Sequence, residues 1–285
     1  MDKTSKQTVY KKKKRRRLTR AGVRRIRRMF LFILLVICIV IFARSSFFIV
    51  NKIDVTGNNK YSSNDIIKQT GLVTGQNVFK MLGEKPKNLL SFRFNDNEQK
   101  IYESMPYIKS VSIRPALPKS IKVKIQERTP FAILENKGTS ILVDKEGYAL
   151  EIVQGTEPGN KNEGIYFKII GTSVDSFKLG QGVKFKGRSP LNELNKFCDI
   201  LMANDKDSKT KLYSKITSVD LSDLNSMAVI FDNRITVKFG DLEDADIVKY
   251  NLEFFKQLFV NNITAKQKGT LDFTTSSNPY FAPED

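Results

Sequence analysis

Ile108–Gln126 reads IKSVSIRPALPKSIKVKIQ, and apolar side chains recur at alternate positions on both sides of Pro115-Ala116-Leu117-Pro118. In the second half Ile121, Val123 and Ile125 fall on one face of an extended chain, and Lys122, Lys124 and Gln126 on the other, because successive strand side chains point to opposite faces. The pattern predicts two strands, 108–114 and 120–126, with one face buried and one wet. Upstream, Asn88–Ser104 places Leu90, Phe94, Ile101 and Met105 at helical spacings, Asn95-Asp96 can cap a second half, and Pro106 stops the helix. Ser62-Ser63 and Asp65 open a shorter helix, with Ile66 and Ile67 as its buried face, that Gly71 ends. Before it, Phe48, Val50, Ile53 and Val55 lie in an extended segment from Phe47 that closes at Thr56-Gly57-Asn58-Asn59. Strand–helix–helix–strand–strand within about 80 residues is a small α+β module.

Directly before this module stands Met29–Ala43, MFLFILLVICIVIFA, with no charged residue. As a helix it is about 22 Å long, short of the roughly 30 Å hydrocarbon core of a bilayer. Arg27 and Arg28 at one end and Arg44 at the other can extend their heads to the interfaces; alternatively Phe47–Val50 lengthens the span. A helix apolar on every side belongs to a membrane span or to the core of a large protein, and the first is the expectation here. Ala43-Arg44-Ser45 loosely fits a signal-peptidase site, but a leader of 28 residues with fourteen basic side chains is far heavier than a signal needs. The segment is therefore expected to be a retained anchor, spanning 29–46.

Those fourteen basic residues face a single acid, Asp2, so residues 1–28 hold most of the formal charge of +18. Arg24, Arg25, Arg27, Arg28 and Arg44 flank the span as topogenic and anchoring charges, and the bias predicts an inner N-terminus with residues 45–285 outside. The run Lys11–Arg17 fits a disordered tail lying on anionic lipid. Nucleic acid is not expected as a partner, because aromatics for base stacking are missing from it.

The chain has no histidine and two cysteines. That excludes Ser-His-Asp and Cys-His catalysis and His-containing zinc sites. Cys38 lies in the span and Cys198 outside, so the two cannot pair. Asp241–Asp246, DLEDAD, lacks the alternating ligand spacing of a calcium loop and sits where acids favour a helix start. Ser208-Lys209-Thr210-Lys211 fits Ser-x-x-Lys, but in a lysine-rich loop and without a Lys-Thr-Gly element. Gly180-Gln181-Gly182 is followed by no helix and is not a phosphate loop. No catalytic residue, cofactor or metal is expected.

Met105-Pro106-Tyr107-Ile108-Lys109-Ser110-Val111, and Leu117-Pro118-Lys119 running through Ile125-Gln126-Glu127-Arg128-Thr129-Pro130, resemble the close of a POTRA domain. In this order, after a basic tail and one span, they resemble the FtsQ/DivIB family of bacterial division proteins, and the Val55-Thr56-Gly57-Asn58 turn is similar too. The resemblance implies an α+β fold: a single transmembrane helix, a small POTRA (β-α-α-β-β) module, and a β-rich domain with two helices. The expected divisions are 1–28 basic tail, 29–46 span, 47–128 POTRA, 129–275 β domain and 276–285 C-terminal tail.

Within the β domain, Phe131–Leu134, Ser140–Asp144, Tyr148–Ile152 and Tyr166–Ile170 read as strands, with Asn160–Glu163 a polar loop. Ser189-Pro190 is expected to cap a helix with Pro at its first position, whose Leu194, Phe197, Cys198 and Leu201 make a buried stripe. Ile216–Leu221, Met227–Phe231 and Ile235–Phe239 are three more strands, and Asp244–Val260 a helix with a broad apolar arc including Ile247 and Tyr250. Gly269–Phe273 is a last strand, and Asn278-Pro279-Tyr280-Phe281-Ala282-Pro283 resembles the family's closing pattern.

A terminal strand at a sheet edge can accept a strand from another chain. The resemblance implies that this edge receives bitopic partners of the FtsB/DivIC and FtsL type, acting indirectly on the septal peptidoglycan synthase. On that basis the expected partner-binding residues are Thr270, Leu271, Phe273 and Thr275 of the strand and Tyr280 and Phe281 after it, with no long tail covering the edge beyond Pro283. The implied activity is non-enzymatic scaffolding in the division septum membrane. The rival readings are a membrane-tethered wall enzyme, with Ser208 as its only candidate, and a POTRA transport or chaperone component.

Overall fold

The chain enters as one long helix, α1, Arg20–Ala43, with none of its side chains buried. It is long and apolar enough to cross a membrane, and at 24 residues it measures about 36 Å. The structure is a computed structural model that describes residues 20–153, 166–187, 189–206, 208–223, 226–240, 242, 244–276 and 278–284. The expectations for residues 1–19 of the basic tail and for the 160–163 loop lie outside them.

Phe47–Val50 does not continue α1. Ser46–Phe48 is a single 3-10 turn capped by Ser45, and Phe48 and Val50 are buried in the core of the next module. The first strand, β1, is Lys52–Thr56, shorter than the alternation from Phe47 predicted. Four helices follow: α2 (Ser63–Thr70), α3 (Val78–Gly83), α4 (Pro86–Ser91) and α5 (Asn95–Ser104). Ser62 caps α2 by accepting from Asp65 N, and Gly71 ends it in the left-handed region at φ +69°, as expected.

The helical stretch 88–104 is divided in two, as a cap at Asn95-Asp96 would allow, but the break comes earlier. Phe92 turns left-handed at φ 50° and ends α4. Asn95 and Asp96 lie inside α5, whose N-cap is Phe94. The break is held by buried Asn88, whose Oδ1 accepts from Asn95 N at 3.1 Å. Phe94, Ile101 and Met105 are buried as predicted, but Leu90 is 89% exposed. Helix α3 was not foreseen, because six residues are too few to show a period.

Strands β2 (Ile108–Ala116) and β3 (Ser120–Glu127) complete a three-stranded sheet in the order β1-β3-β2. β1 runs parallel to β3, and β2 antiparallel to it. Ile121, Val123 and Ile125 are buried while Lys122, Lys124 and Gln126 are exposed, as the alternation requires. Behind the sheet, Glu98 is buried on α5, takes both oxygens to Arg93 Nε at 2.6 and 2.8 Å, and accepts from Ile113 N at 2.6 Å. One carboxylate thus ties helix to strand, and its hydrogen bond is the main reason the Arg93 pKa is raised.

Two residues separate β3 from β4 (Pro130–Asn136), which opens the second sheet. After β5 (Thr139–Asp144) and β6 (Ala149–Val153) come β7 (Lys168–Ile170) and a small hairpin of β8 (Val174–Ser176) and β9 (Lys184–Phe185). Then follow α6 (Leu191–Asp205), β10 (Ile216–Asp220), β11 (Ala228–Phe231), β12 (Ile235–Lys238), α7 (Ala245–Asn261), β13 (Lys268–Asp272) and β14 (Ala282–Glu284). Among the described residues the sheet has nine strands, ordered β14-β13-β12-β11-β10-β7-β4-β5-β6. Its parallel contacts are β4 with β7, β7 with β10, and β12 with β13. The last two are spanned by α6 and α7, since a parallel neighbour needs a crossover.

Pro190 proves to be the N-cap of α6 rather than its first residue. The β11–β12 connection is the three residues Asp232, Asn233 and Arg234, with Asp232 and Asn233 at φ 52° and 57°, left-handed positions that suit a tight hairpin. Helices α6 and α7 contribute Leu194, Phe197, Cys198, Leu201, Leu252 and Phe255 to one core with the sheet. Burial pushes the Cys198 thiol up to about 12. Maleimide at neutral pH should therefore label Cys198 only after denaturant is added; fast labelling of the native protein would mean that α6 does not sit on the sheet.

Candidate functional site

The two modules meet at one end of the long sheet. Arg128, in the two-residue link, has a side chain only 7% exposed; its Nη1 donates to Asp144 Oδ2 at 2.6 Å and Glu146 Oε2 at 2.9 Å. Its guanidinium lies 3.4 Å from the centroid of the Tyr148 ring. Burial works against that charge, but the hydrogen bonds to Asp144 and Glu146 outweigh it and the Arg128 pKa is raised. Lys109 also binds Glu146, and Lys109 and then Arg128 hold its carboxyl below the usual range. Beside this network Tyr107 joins Ile133, Leu142 and Leu150 in a small apolar cluster, and its hydroxyl donates to Glu151 Oε2 at 2.8 Å. Burial and that acceptor raise the Tyr107 pKa well above the ordinary phenol range.

The other end carries the predicted partner-binding residues. Eight inter-strand spacings of about 4.8 Å set it roughly 38 Å from the β6 edge across the nine strands. Here β13 is not the edge. Residues 282–284 fold back as β14 and pair antiparallel with it, Lys268 opposite Glu284 and Thr270 opposite Ala282. The expectation of an uncovered edge is corrected: the tail itself occupies the unpaired groups of β13. Gly269 makes room for it, since a Cβ there would meet Ala282 O at 2.3 Å and Phe281 Cζ at 2.6 Å.

Leu271 and Phe273 point into the core, fully and nearly buried. Phe273 stacks on Phe239 at 5.9 Å and meets Phe254 edge-on at 5.9 Å. Thr270 is half-buried and donates to Glu284 Oε1 at 3.1 Å. Phe281 is half-buried against the core, whereas Thr275 is exposed and Tyr280 is 87% exposed. The structure thus brings Tyr280 and Thr275 to the surface and takes Leu271 and Phe273 away from it.

Two residues of this surface were misassigned from sequence. Ile247 and Tyr250, read as part of the buried arc of α7, are 52% and 48% exposed. Tyr250 Oη donates to Asn278 Oδ1 at 2.6 Å, which ties α7 to the tail, and its ring lies 6.5 Å from Phe254. The available signal was the width of the arc: Val248, Leu252, Phe255 and Phe259 fill one stripe, so Ile247, Tyr250 and Phe254 form a second. Asp244 starts the helix, accepting from Asp246 N and Ile247 N at 2.9 and 3.2 Å, so this carboxylate of the acidic cluster is a cap; Asp241 and Glu243 lie outside the described residues. Lys211, of the Ser-x-x-Lys match, donates to the carbonyls of Asp205 and Lys206 at the end of α6.

At the opposite pole, Arg24, Arg25, Arg27 and Arg28 are exposed along the first turns of α1, and Arg44 is exposed just past its end.

Residues 48–128 match the family model of the POTRA domain, FtsQ-type. The chain is similar to Cell division protein DivIB of Clostridium acetobutylicum, 26% identical over 244 residues that cover 86% of each chain. It is similar to DivIB of Clostridium tetani, 23% identical over 85% of this chain and 82% of the relative. A shorter stretch, 38% of this chain and 43% of the relative, is 30% identical to Cell division protein FtsQ of Corynebacterium glutamicum.

Proposed function

We propose that this chain, which belongs to the FtsQ/DivIB family of cell-division proteins, is a bitopic membrane scaffold of the division complex. On this reading α1 spans the cell membrane with its arginine-rich end inside and both sheets outside, at the septum. It works without catalysis, by docking ectodomains of the FtsB/DivIC and FtsL type and so regulating septal peptidoglycan synthesis. The observation that carries the reading is the far end of the long sheet, where a three-residue exposed strand closes the edge beside exposed Tyr280, Tyr250 and Ile247. Exposed aromatics beside a sheet edge are what strand addition uses for anchorage.

A partner strand takes the place of β14 on β13. Three residue pairs are easily given up to a longer strand, and the Tyr280 and Tyr250 rings then flank the newcomer. Removing residues 270–285 is not a usable test, because it strips Leu271 and Phe273 from the core. Instead, Tyr250→Ala with Tyr280→Ala should weaken capture of a DivIC-type ectodomain by at least about tenfold in titration calorimetry, a loss of about 1.4 kcal/mol or more. Truncation after Phe281 should strengthen capture several-fold. Wild-type affinity in both variants would refute docking at this end.

A further inference from the structure

The carbonyl groups at the end of α1 are gripped by a side chain from the POTRA module. Asn77 Nδ2 donates to Ala43 O at 3.0 Å and Ser45 O at 2.9 Å, while its Oδ1 caps α3 by accepting from Phe79 N and Lys80 N. The rings of Phe42, Phe48, Phe79 and Phe92 form a chain of contacts at 5.2, 4.9 and 6.2 Å. It leads from the last turn of α1 to the end of α4. Along that path Phe47 is 51%, Leu89 48%, Leu90 89% and Phe92 38% exposed. Lys80, Lys85 and Lys87 are exposed among them; Lys85 Nζ lies 3.1 Å from Asp96 Oδ1, so with Glu84 and Asp96 counted the face keeps a small basic excess, carried by Lys80 and Lys87.

A soluble surface does not gather large apolar residues in this way without something to cover them. Leu90, the most exposed large apolar side chain among the described residues, sits on the helix coupled to the end of α1. We infer that the α3–α4 face is a second membrane contact. It lies in the interface of the bilayer that α1 crosses, with Leu89, Leu90, Phe47 and Phe92 at the acyl boundary and Lys80 and Lys87 among anionic headgroups. The inference rests on the spanning role proposed for α1. Two features select lipid as the occupant: the patch is continuous with the exit of α1, and it combines apolar and basic side chains, as interfacial segments do. Its consequence is orientational. The Asn77 clasp and this face would leave the POTRA module no free swivel, so the far end of the long sheet is presented at a set attitude to the membrane.

The chain contains no tryptophan, so one introduced indole reports one place. The full chain would be placed in nanodiscs of phosphatidylcholine and phosphatidylglycerol whose acyl chains are brominated. Leu34→Trp, in the middle of α1, and Leu90→Trp should both be blue-shifted and quenched, Leu90→Trp by roughly twofold. Tyr280→Trp should stay red and unquenched. Adding Lys80→Glu and Lys87→Glu to Leu90→Trp should relieve the quenching. If Leu34→Trp is quenched and Leu90→Trp behaves like Tyr280→Trp, the second contact is wrong while the span stands. If Leu34→Trp is itself unquenched, the spanning role fails and this inference with it. Shielding of Leu90→Trp from iodide without quenching by brominated lipid would mean that protein covers the face, and would overturn the proposal.

Discussion

Alanine at Gly57 should unfold the three-stranded module. Gly57 sits at φ +87°, and a Cβ there would lie 2.0 Å from Ile125 O and 3.1 Å from Ile125 C. The obstacle is backbone, and backbone of the central strand: β3 pairs with β1 on one side and β2 on the other. Relief by shifting Ile125 would break one ladder or both. The strained φ alone costs about 1–2 kcal/mol, and the collision should raise the total above about 4 kcal/mol. Gly75→Ala provides the contrast, since its φ is +83° but nothing lies within 4 Å of the added carbon. Urea unfolding followed by circular dichroism should show a small loss for Gly75→Ala and no stable POTRA module for Gly57→Ala. Equal losses would show that conformation, and not the approach of β3, makes position 57 a glycine.

Methionine at Arg128 should cost about 3–5 kcal/mol. It removes a buried cation and leaves Asp144 Oδ2 without its partner in a site where both side chains are 7% exposed. The turn itself should survive, because Asp144 Oδ1 still accepts from Glu146 N and Tyr148 N at 3.0 and 2.8 Å. The damage should fall on the junction: faster proteolysis near residues 128–130, and separate melting of the two sheets. Adding Asp144→Asn should restore part of the loss, since no uncompensated charge then remains. A simple sum of the two single losses would mean that the pair does not act as a unit. The junction should also loosen in acid. The Glu146 pKa is lowered from 4.5 in the folded protein, so its contribution is present above that value and is lost as pH falls through the lower, folded one. The effect should be modest, because its side chain is 48% exposed.

The parts of this protein that local period and covalent chemistry control were legible in its residues. Fifteen uncharged residues after a cationic run announced α1. The two-residue alternation about Pro115–Pro118 announced β2 and β3. Gly57 marked a turn and Gly71 a helix end, and both take a positive φ. The Leu194–Leu201 stripe gave the buried face of α6. The ordered motifs around Pro106, Pro118 and Pro130 lie in or next to the segment, residues 48–128, that matches the FtsQ-type POTRA family model.

What only the tertiary structure decided are matters of which surface meets which. Nothing local to Ile247 or Tyr250 says that the sheet covers the other stripe of α7. Nothing near Ala282 says that the chain turns back to pair with Thr270. Leu90 looks like a core leucine until α4 is seen to rotate it outward after the break at Phe92. Arg128 reads as an ordinary charge two residues before Pro130, and becomes a buried clasp because Asp144 and Glu146, sixteen and eighteen residues on, are folded onto it. The physical reason is common to all of these. Periodicity records how much of an element is buried, because water penalises each exposed apolar group where it stands. The choice between two plausible faces is made by distant neighbours, and their positions follow from closing the whole chain.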